Sequence, residues 1–432
     1  MTETITPTTP YLLDPAFPNL EGINRMERAK IILKQHRSVQ KKSRNTYAVK
    51  SQSGISTYTV IKTDNGFTCN CPDHILNKHQ CKHILAVKAY IQERDEFANT
   101  KTDNGSFRRD WSTYNLGSIN SGKLNRIFLR QLCDTIEVPE QTMGRPGIPL
   151  DDMIFVAVMK VASKSSSRDA HGLIEDLEAM GFIKNAPAFN RVNVFLNKPE
   201  ITPLLHELVR LSAAPLASVE NSFSIDSSGF RTSNFGEWCD TKHGKTFTDK
   251  KGKQTIKARR EHQWVKCHIS SGNLTHVIAD VVITPNKGEN TADAKQFSAL
   301  LSNTTGYFDV ETVMADPAYV SRENFAAADK LNITPYIYFK NGMTGKAKGC
   351  PLFNQMFSKF ITEYDEYLEF YNLRNNVEST FGAVKAKFGE VLKSKNYTSQ
   401  VNELLCKIIA YNMSVLSTAF FVNDAEINFE GF

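Results

Sequence analysis

The sequence predicts an α/β fold with a mixed sheet and helices on both of its faces, preceded by an α-helical domain and a small ββα module. Three observations carry this. Beyond residue 220 come three short apolar runs suited to strands, and then helical and strand-like runs in alternation. From 108 to 217, apolar residues recur at helical spacing. Ahead of both, two alternating runs lead into Cys69-Asn-Cys71 and Cys81-Lys-His83, and then into a helical pattern.

Residues 1–20, rich in Thr and Pro, read as a flexible lead. The module spans 21–98. It holds a polar helix-like piece, a hairpin of Thr46–Lys50 and Thr57–Thr63 around Ser-Gln-Ser-Gly, and a helix through Ile84–Ile91. Residues 99–107 make a linker. The helical domain, 108–217, shows its period in Leu124–Thr135, Leu150–Ser163, Ala170–Met180 and Ile201–Ser212, broken by Gly-Arg-Pro-Gly-Ile-Pro at 144–149. In 218–432, strands are expected at Phe223–Ile225, Trp264–Ile269, His276–Thr284, Glu311–Ala315 and Ile333–Phe339. Helices are expected at Asp293–Leu301, Arg322–Lys330, 364–392 and 399–420, with a loop-rich stretch at 340–362. That order matches the ribonuclease H topology.

Bulk composition narrows the function classes. With 432 residues, 41% of them apolar and 23% charged, the chain can bury several cores and is not broadly disordered. The net charge of +6 is modest, but it is clustered. One block runs from Arg25 to Arg44, a second from Lys242 to Arg260, and Lys340, Lys346 and Lys348 form a third. Three separate basic blocks point to a nucleic-acid surface. No stretch approaches the roughly 18 apolar residues of a membrane span, and the start lacks a signal-peptide pattern, so a cytoplasmic protein is expected. Eight cysteines in so long a chain do not make a disulfide framework, and Cys133, Cys239, Cys267, Cys350 and Cys406 read as ordinary thiols.

Cys69, Cys71, Cys81 and His83 form a set suited to one tetrahedral zinc ion. The first pair sits at a strand end beside Pro72, and the second at a helix start, where backbone amides favour thiolate. His74 and His79 are possible competitors. Four protein ligands close the site, so this zinc is structural and contributes to folding. With its two preceding strands and Cys81-Lys-His83-Ile-Leu-Ala-Val helix entry, the stretch of roughly 25–92 resembles a SWIM zinc finger. The resemblance implies an accessory role in binding DNA or protein.

Three acids far apart in the chain invite a different chemistry. Asp226 and Asp316 each follow an apolar strand, and Glu378 lies in a helical stretch. At about 100° per residue, Tyr371, Arg374, Glu378 and Lys385 fall at about 0°, 300°, 340° and 320°, one narrow stripe. It borders the core stripe of Phe370, Leu373, Val377, Phe381, Val384 and Phe388. Taken singly, the aspartates read as turn caps before Ser-Ser-Gly and Pro317, and the glutamate as a solvated helix residue. Together they fit two magnesium or manganese ions that activate a phosphodiester, bordered by cations. Trp264 and His268 are weaker candidates for touching DNA, and Cys239 with His243 is too few ligands for a site.

The segment Tyr371-Asn-Leu-Arg374-Asn-Asn-Val-Glu378, continuing to Lys385, resembles the tyrosine–arginine–glutamate–lysine signature of DDE transposases of the insertion-sequence-four superfamily. Ile225-Asp226-Ser-Ser-Gly-Phe and Ala315-Asp316-Pro-Ala-Tyr are similar to the family's two aspartate motifs. The resemblance covers about 145–420. It implies a ribonuclease H-like catalytic domain over 218–432, with Asp226, Asp316 and Glu378 as the catalytic, metal-binding triad. Tyr371, Arg374 and Lys385 would contact phosphates of the transposon end. The long gap before Glu378 makes 340–362 a small insertion. The expected activity is binding of an insertion sequence's terminal inverted repeats, cleavage of the ends and transfer of 3′ hydroxyls to target DNA. Partners would be double-stranded DNA and further copies of the chain in a dimer or synaptic oligomer, with no nucleotide cofactor. A domesticated DNA-binding regulator and a structure-selective nuclease of the same fold are the alternatives.

Overall fold

The structure, a computed structural model, describes residues 25–34, 38–43, 45–50, 56–63, 66–77, 80–98, 111–138, 147–232, 245–248, 254–257, 264–286, 288, 291–345, 347–423, 425 and 427–429. The expected lead (1–20) and linker (99–107) lie outside these residues, as do His79, Cys239, His243, Lys346 and most of the second basic block. The chain divides into two compact units, Met1–Glu96 and Phe97–Phe432.

In the first unit, α1 (Arg25–Lys34) precedes four strands, β1 (Val39–Ser43), β2 (Thr46–Lys50), β3 (Thr57–Thr63) and β4 (Gly66–Cys69), followed by α2 (Pro72–Asn77) and α3 (Lys82–Ala98). The strands form one antiparallel sheet in sequence order. Alternation sets its buried face, with Tyr47 and Val49 of β2 and Val60 of β3 turned inward. These pack with Ala29 and Ile32 of α1 and Ile84 and Val87 of α3. The module thus has four strands where two were expected. β1 reads Val-Gln-Lys-Lys-Ser, which lacks apolar alternation, and β4 is only four residues long. Gly66, at φ +129°, makes the return between β3 and β4 possible, a conformation that disfavours a side chain.

The second unit opens with helices α4 (Trp111–Asp134), α5 (Leu150–Ala162), α6 (Asp169–Ala179), α7 (Arg191–Leu196) and α8 (Ile201–Ala213). Strand β5 (Ser222–Arg231) follows, then a two-stranded hairpin of β6 (Lys245–Thr248) and β7 (Gln254–Lys257). Next come β8 (Trp264–Gly272), β9 (Ile278–Pro285), α9 (Asp293–Tyr307), β10 (Thr312–Ala315), α10 (Arg322–Lys330) and β11 (Thr334–Ile337). The five-stranded sheet has the order β11-β10-β5-β8-β9. β5, β8 and β9 pair antiparallel, whereas β10 pairs parallel with both β5 and β11. The sheet is therefore mixed. Helices cover both faces, because alternate residues of β5 reach different neighbours. Ser224 donates to the carbonyl of Leu373, while Phe223 packs edge-on against Phe308 just after α9.

After β11 come α11 (Pro351–Thr362), α12 (Tyr364–Tyr371), α13 (Asn375–Phe388) and α14 (Tyr397–Val422). The single helix expected over 364–392 is broken. A 3₁₀ turn, Asn372–Arg374, separates α12 from α13, and α13 stops before Gly389 at φ +79°. The expected core stripe still holds, with Leu373, Val377, Phe381, Val384 and Phe388 all buried.

The helical region and the sheet share one hydrophobic core, and α14 runs through it. Its Asn412 takes the amide of Ile278 at 3.0 Å and donates to the carbonyl of Ile278 at 2.9 Å and to Ser212 Oγ at 2.8 Å. One buried amide side chain thus ties α14 to β9 and α8, satisfying groups that would be costly to bury alone. α4 approaches α14 closely at Gly117, where a Cβ would lie 2.8 Å from Thr418 Cα. By length and composition Tyr397–Val422 could cross a membrane, which corrects the expectation that no stretch comes near that limit; 78% of its most apolar window is buried in the core.

Candidate active site and zinc site

The zinc ligands converge in the first unit. Cys69 closes β4, Cys71 precedes α2, and Cys81 and His83 flank the start of α3, all four buried. Their ligand atoms lie within 4.8 Å of one another, and His83 Nδ1 faces Cys69 Sγ at 4.0 Å and Cys81 Sγ at 3.9 Å. A tetrahedron with Zn–S of about 2.3 Å and Zn–N of about 2.0 Å has edges of roughly 3.5–3.8 Å. The set fits zinc with little adjustment. The hydrogen bond from Cys69 pulls the Cys81 thiol down, and the same contact holds that of Cys69 up. Tyr58 packs its ring on His83, 4.6 Å between centroids, fixing the imidazole. His74 is not among the converging ligands.

The acids meet at the sheet of the second unit. β5 and β10 run side by side with Ile225 opposite Ala315, so Asp226 and Asp316 are the next residues on neighbouring strands. Asp316 follows the last residue of β10 and accepts the amide of Ala318 at 2.7 Å, capping a 3₁₀ turn. Asp226 is not at a strand end. β5 continues through Ser-Ser-Gly to Arg231 because β8 pairs with it over that whole length, which corrects the expected turn. Asp226 Oδ1 accepts the amide of Ser227 at 2.7 Å.

Arg374, in the 3₁₀ turn, joins two of the acids. Its Nη1 donates to Asp226 Oδ2 at 3.3 Å and its Nη2 to Glu378 Oε1 at 2.7 Å. Burial raises the Asp226 carboxyl to about 6, and the charges of Asp316 and Glu378 push the same way, while the Ser227 amide and Arg374 oppose them. The three acids therefore sense one another, with a cation between two of them. Oxygen donors of this kind suit magnesium or manganese. Among the described residues, the ligand atoms that converge on one point are those of the Cys and His set; Asp226 and Glu378 pair with a guanidinium instead.

Tyr371 ends α12, with its ring 5.4 Å from that of Tyr338. Lys385 lies farther along β5 on the Asp226 face, donating to Ser228 Oγ at 2.8 Å with its ammonium 5.3 Å from the Phe230 ring. His268, a weaker candidate for DNA, is fully buried and bonds Thr284 Oγ1 at 3.0 Å, which removes it from any DNA surface. Trp264 is partly exposed and lies across Gly229 of β5.

Asp293 was not anticipated. From the first turn of α9 it accepts Ser227 Oγ at 2.8 Å and pairs with Lys266 at 2.7 Å, bracing the residue whose amide holds Asp226. A lone acid in a helix's first turn carries no sequence signal for this.

Both sequence resemblances have a counterpart among known families. Residues 218–413 match the family model for the transposase DDE domain, and residues 59–92 match that for the SWIM zinc finger. The chain therefore carries a transposase DDE domain and a SWIM zinc finger. No curated protein and no solved structure matches it.

Proposed function

We propose that this protein is an insertion-sequence transposase of the insertion-sequence-four type, which cleaves the element's ends and joins their 3′ hydroxyls to target DNA. The observation that carries the reading is the bridging of Asp226 and Glu378 by Arg374, with Asp316 on the adjacent strand. The strand order, three antiparallel strands followed by two parallel ones, supports a ribonuclease H-like core over 218–432. The spacing of Tyr371, Arg374, Glu378 and Lys385 supports the subtype.

Asp226, Asp316 and Glu378 are the residues that would hold a pair of divalent ions. Two divalent ions held there would activate the attacking oxygen and neutralise the leaving one. The Ser227 amide keeps Asp226 oriented, and burial keeps water from screening its charge. Arg374 and Lys385 supply fixed positive charge for the scissile strand's phosphates, and Tyr371, next to Arg374, would add a contact to them. The helical region 108–217 would engage the terminal repeats. The SWIM module would add a DNA or protein contact. Two copies of the chain would hold two ends together in the cytoplasm, at the nucleoid.

The test uses the full-length protein, zinc-loaded, with DNA carrying the element's ends and magnesium or manganese. Cleavage followed by joining of 3′ ends to a second duplex is expected, and Asp226→Asn should lower it by about 10³-fold while leaving DNA binding intact. Cleavage of branched DNA regardless of terminal sequence, without joining, would replace this reading by a nuclease. Metal-independent binding alone would replace it by a regulator.

A further inference from the structure

Three chain segments outside the carboxylate site come together at one exposed basic face: 163–168 after α5, 190–198 around α7, and 389–396 between α13 and α14. Asn396 donates to Asn197 Oδ1 at 3.2 Å, and the ammonium of Lys393 donates to the carbonyl of Lys164. Ser167 donates to Asn193 at 3.0 Å. The segments carry Lys164, Arg168, Arg191, Lys198, Lys393 and Lys395, all exposed, against Glu390 alone, six positive charges and one negative. Glu390 is itself paired with Arg231. Asp169 and Glu200 flank the face, bonded to Ser166 and Lys198, so a cationic excess remains even when both are counted.

The backbone that displays these cations is held from beneath. Lys407 of α14, almost fully buried, donates to the carbonyls of Gly389 and Val391, both at 2.9 Å. Buried Glu403 takes the amides of Lys393 at 3.0 Å and Ser394 at 2.8 Å. Committing two buried charges to a short connection costs desolvation, and the result is a fixed, outward-facing row of lysines. Neutral Ser and Asn donors lie between the cations, the mix that contacts a sugar–phosphate backbone.

The face is continuous with the carboxylate site. Val391 pairs in parallel with Arg231, the last residue of β5, and the two strands exchange Arg231 N to Glu390 O at 3.1 Å and Leu392 N to Arg231 O at 2.8 Å. From Asp226 to Arg231 the strand rises about 17 Å, which is about five base pairs of duplex at 3.4 Å each. Lys385 stands between the two.

We propose that this face binds the phosphate backbone of double-stranded DNA, starting about five base pairs from the phosphate at Asp226. It rests on the transposase reading for the identity of that DNA and specifies how the duplex leaves the site. Duplex DNA is the occupant because the cations follow a line that extends from the acids, whereas an acidic protein would need no such continuity.

The experiment compares the wild-type full-length chain with a Lys164→Asn/Arg191→Gln/Lys395→Gln variant. Asn replaces Lys164 because φ is +55° there. A control removes three other exposed lysines, Lys123, Lys184 and Lys330, as glutamines. Binding to a labelled random-sequence duplex of about two helical turns is followed by anisotropy across salt concentrations, with melting temperature confirming the fold. The variant should lose about 30-fold or more in affinity near 0.1 M salt, and its salt slope should drop by about 2.7, while the control stays near wild type. Equal loss in variant and control overturns the proposal, as does an unchanged salt slope in the variant. A wild-type protein that binds the duplex through this face yet never cleaves DNA carrying the element's ends in magnesium or manganese would leave the face standing and sink the transposase reading; one that binds no duplex would sink both.

Discussion

The two candidate metal sites are built on opposite plans. In the SWIM module the four ligands come from a strand end, a tight turn and a helix start within fifteen residues, and all four are buried and converging. In the DDE domain the three acids come from mid-strand, strand end and helix, spread over more than a third of the chain, with Glu378 58% exposed and a guanidinium between two of them. With zinc bound, the first site would be a closed tetrahedron that leaves no position for substrate. The second is open and cross-braced by a cation with which a metal or a phosphate would have to contend. On the transposase reading, the site that holds the fold is complete in itself and the site for turnover is held short of completion.

The sharpest way to break that contrast is to remove the zinc. Among the described residues, three of the thirteen in the module's buried apolar cluster are its cysteines, so a metal held there would be part of the core. Structural zinc in small domains contributes roughly 10 kcal/mol or more. Chelation, or Cys81→Ser, should abolish amide-exchange protection across β1–β4 while leaving that of β5, β8 and β9 unchanged. A module that keeps its protection after chelation would show that its apolar core suffices.

A second test separates buried acids that hold structure from acids kept for chemistry. Glu220 is buried and accepts the amides of Leu274 and Thr275 at 3.1 and 2.9 Å, pinning the turn between β8 and β9. Burial raises its carboxyl from 4.5 to about 7 against those bonds. The folded chain thus holds this proton more tightly than the unfolded one. Its contribution is fully present below pH 4.5 and is lost as pH rises toward 7, about 3 kcal/mol across that window. Urea midpoints should fall over this range in wild type, and Glu220→Gln should flatten that part of the slope. An unchanged slope in the variant would assign the effect to other groups. A raised carboxyl is therefore no mark of function by itself; what singles out Asp226 is its company.

How much of this was legible in the sequence follows the range of the interactions. Cys69, Cys71, Cys81 and His83 are close in the chain, and their spacing alone announces the site. Arg374 and Glu378 are one helical turn apart, and their ion pair at 2.7 Å is what the periodicity implies. The sequence places Asp226 at a strand end because Ser-Ser-Gly has turn composition, whereas the partner that keeps it within a strand, β8, begins over thirty residues later. The break at Asn372–Arg374 was invisible for a related reason. Its residues carry no Pro or Gly, and the turn is set by packing, with buried Leu373 offering its carbonyl to Ser224. β1 is a lysine-bearing strand that only its pairing with β2 reveals.

The smallest expected effect tests the open site most directly. With the guanidinium of Arg374 on both Asp226 and Glu378, a divalent ion entering the apo protein must displace it. Removing the guanidinium removes that competitor and leaves two carboxylates unpaired, so Arg374→Gln should bind manganese more tightly, by about tenfold or roughly 1.4 kcal/mol. Calorimetry or manganese resonance without DNA reads this independently of cleavage, which the variant should lose. In wild type, a duplex whose phosphates draw Arg374 away should tighten manganese binding by a similar factor, since coupling between two ligands is reciprocal. In Arg374→Gln that coupling should vanish. Weaker manganese binding in the variant would mean that the arginine organises the acids for metal instead of standing in its place, and the contrast with the zinc site would then lose its cause.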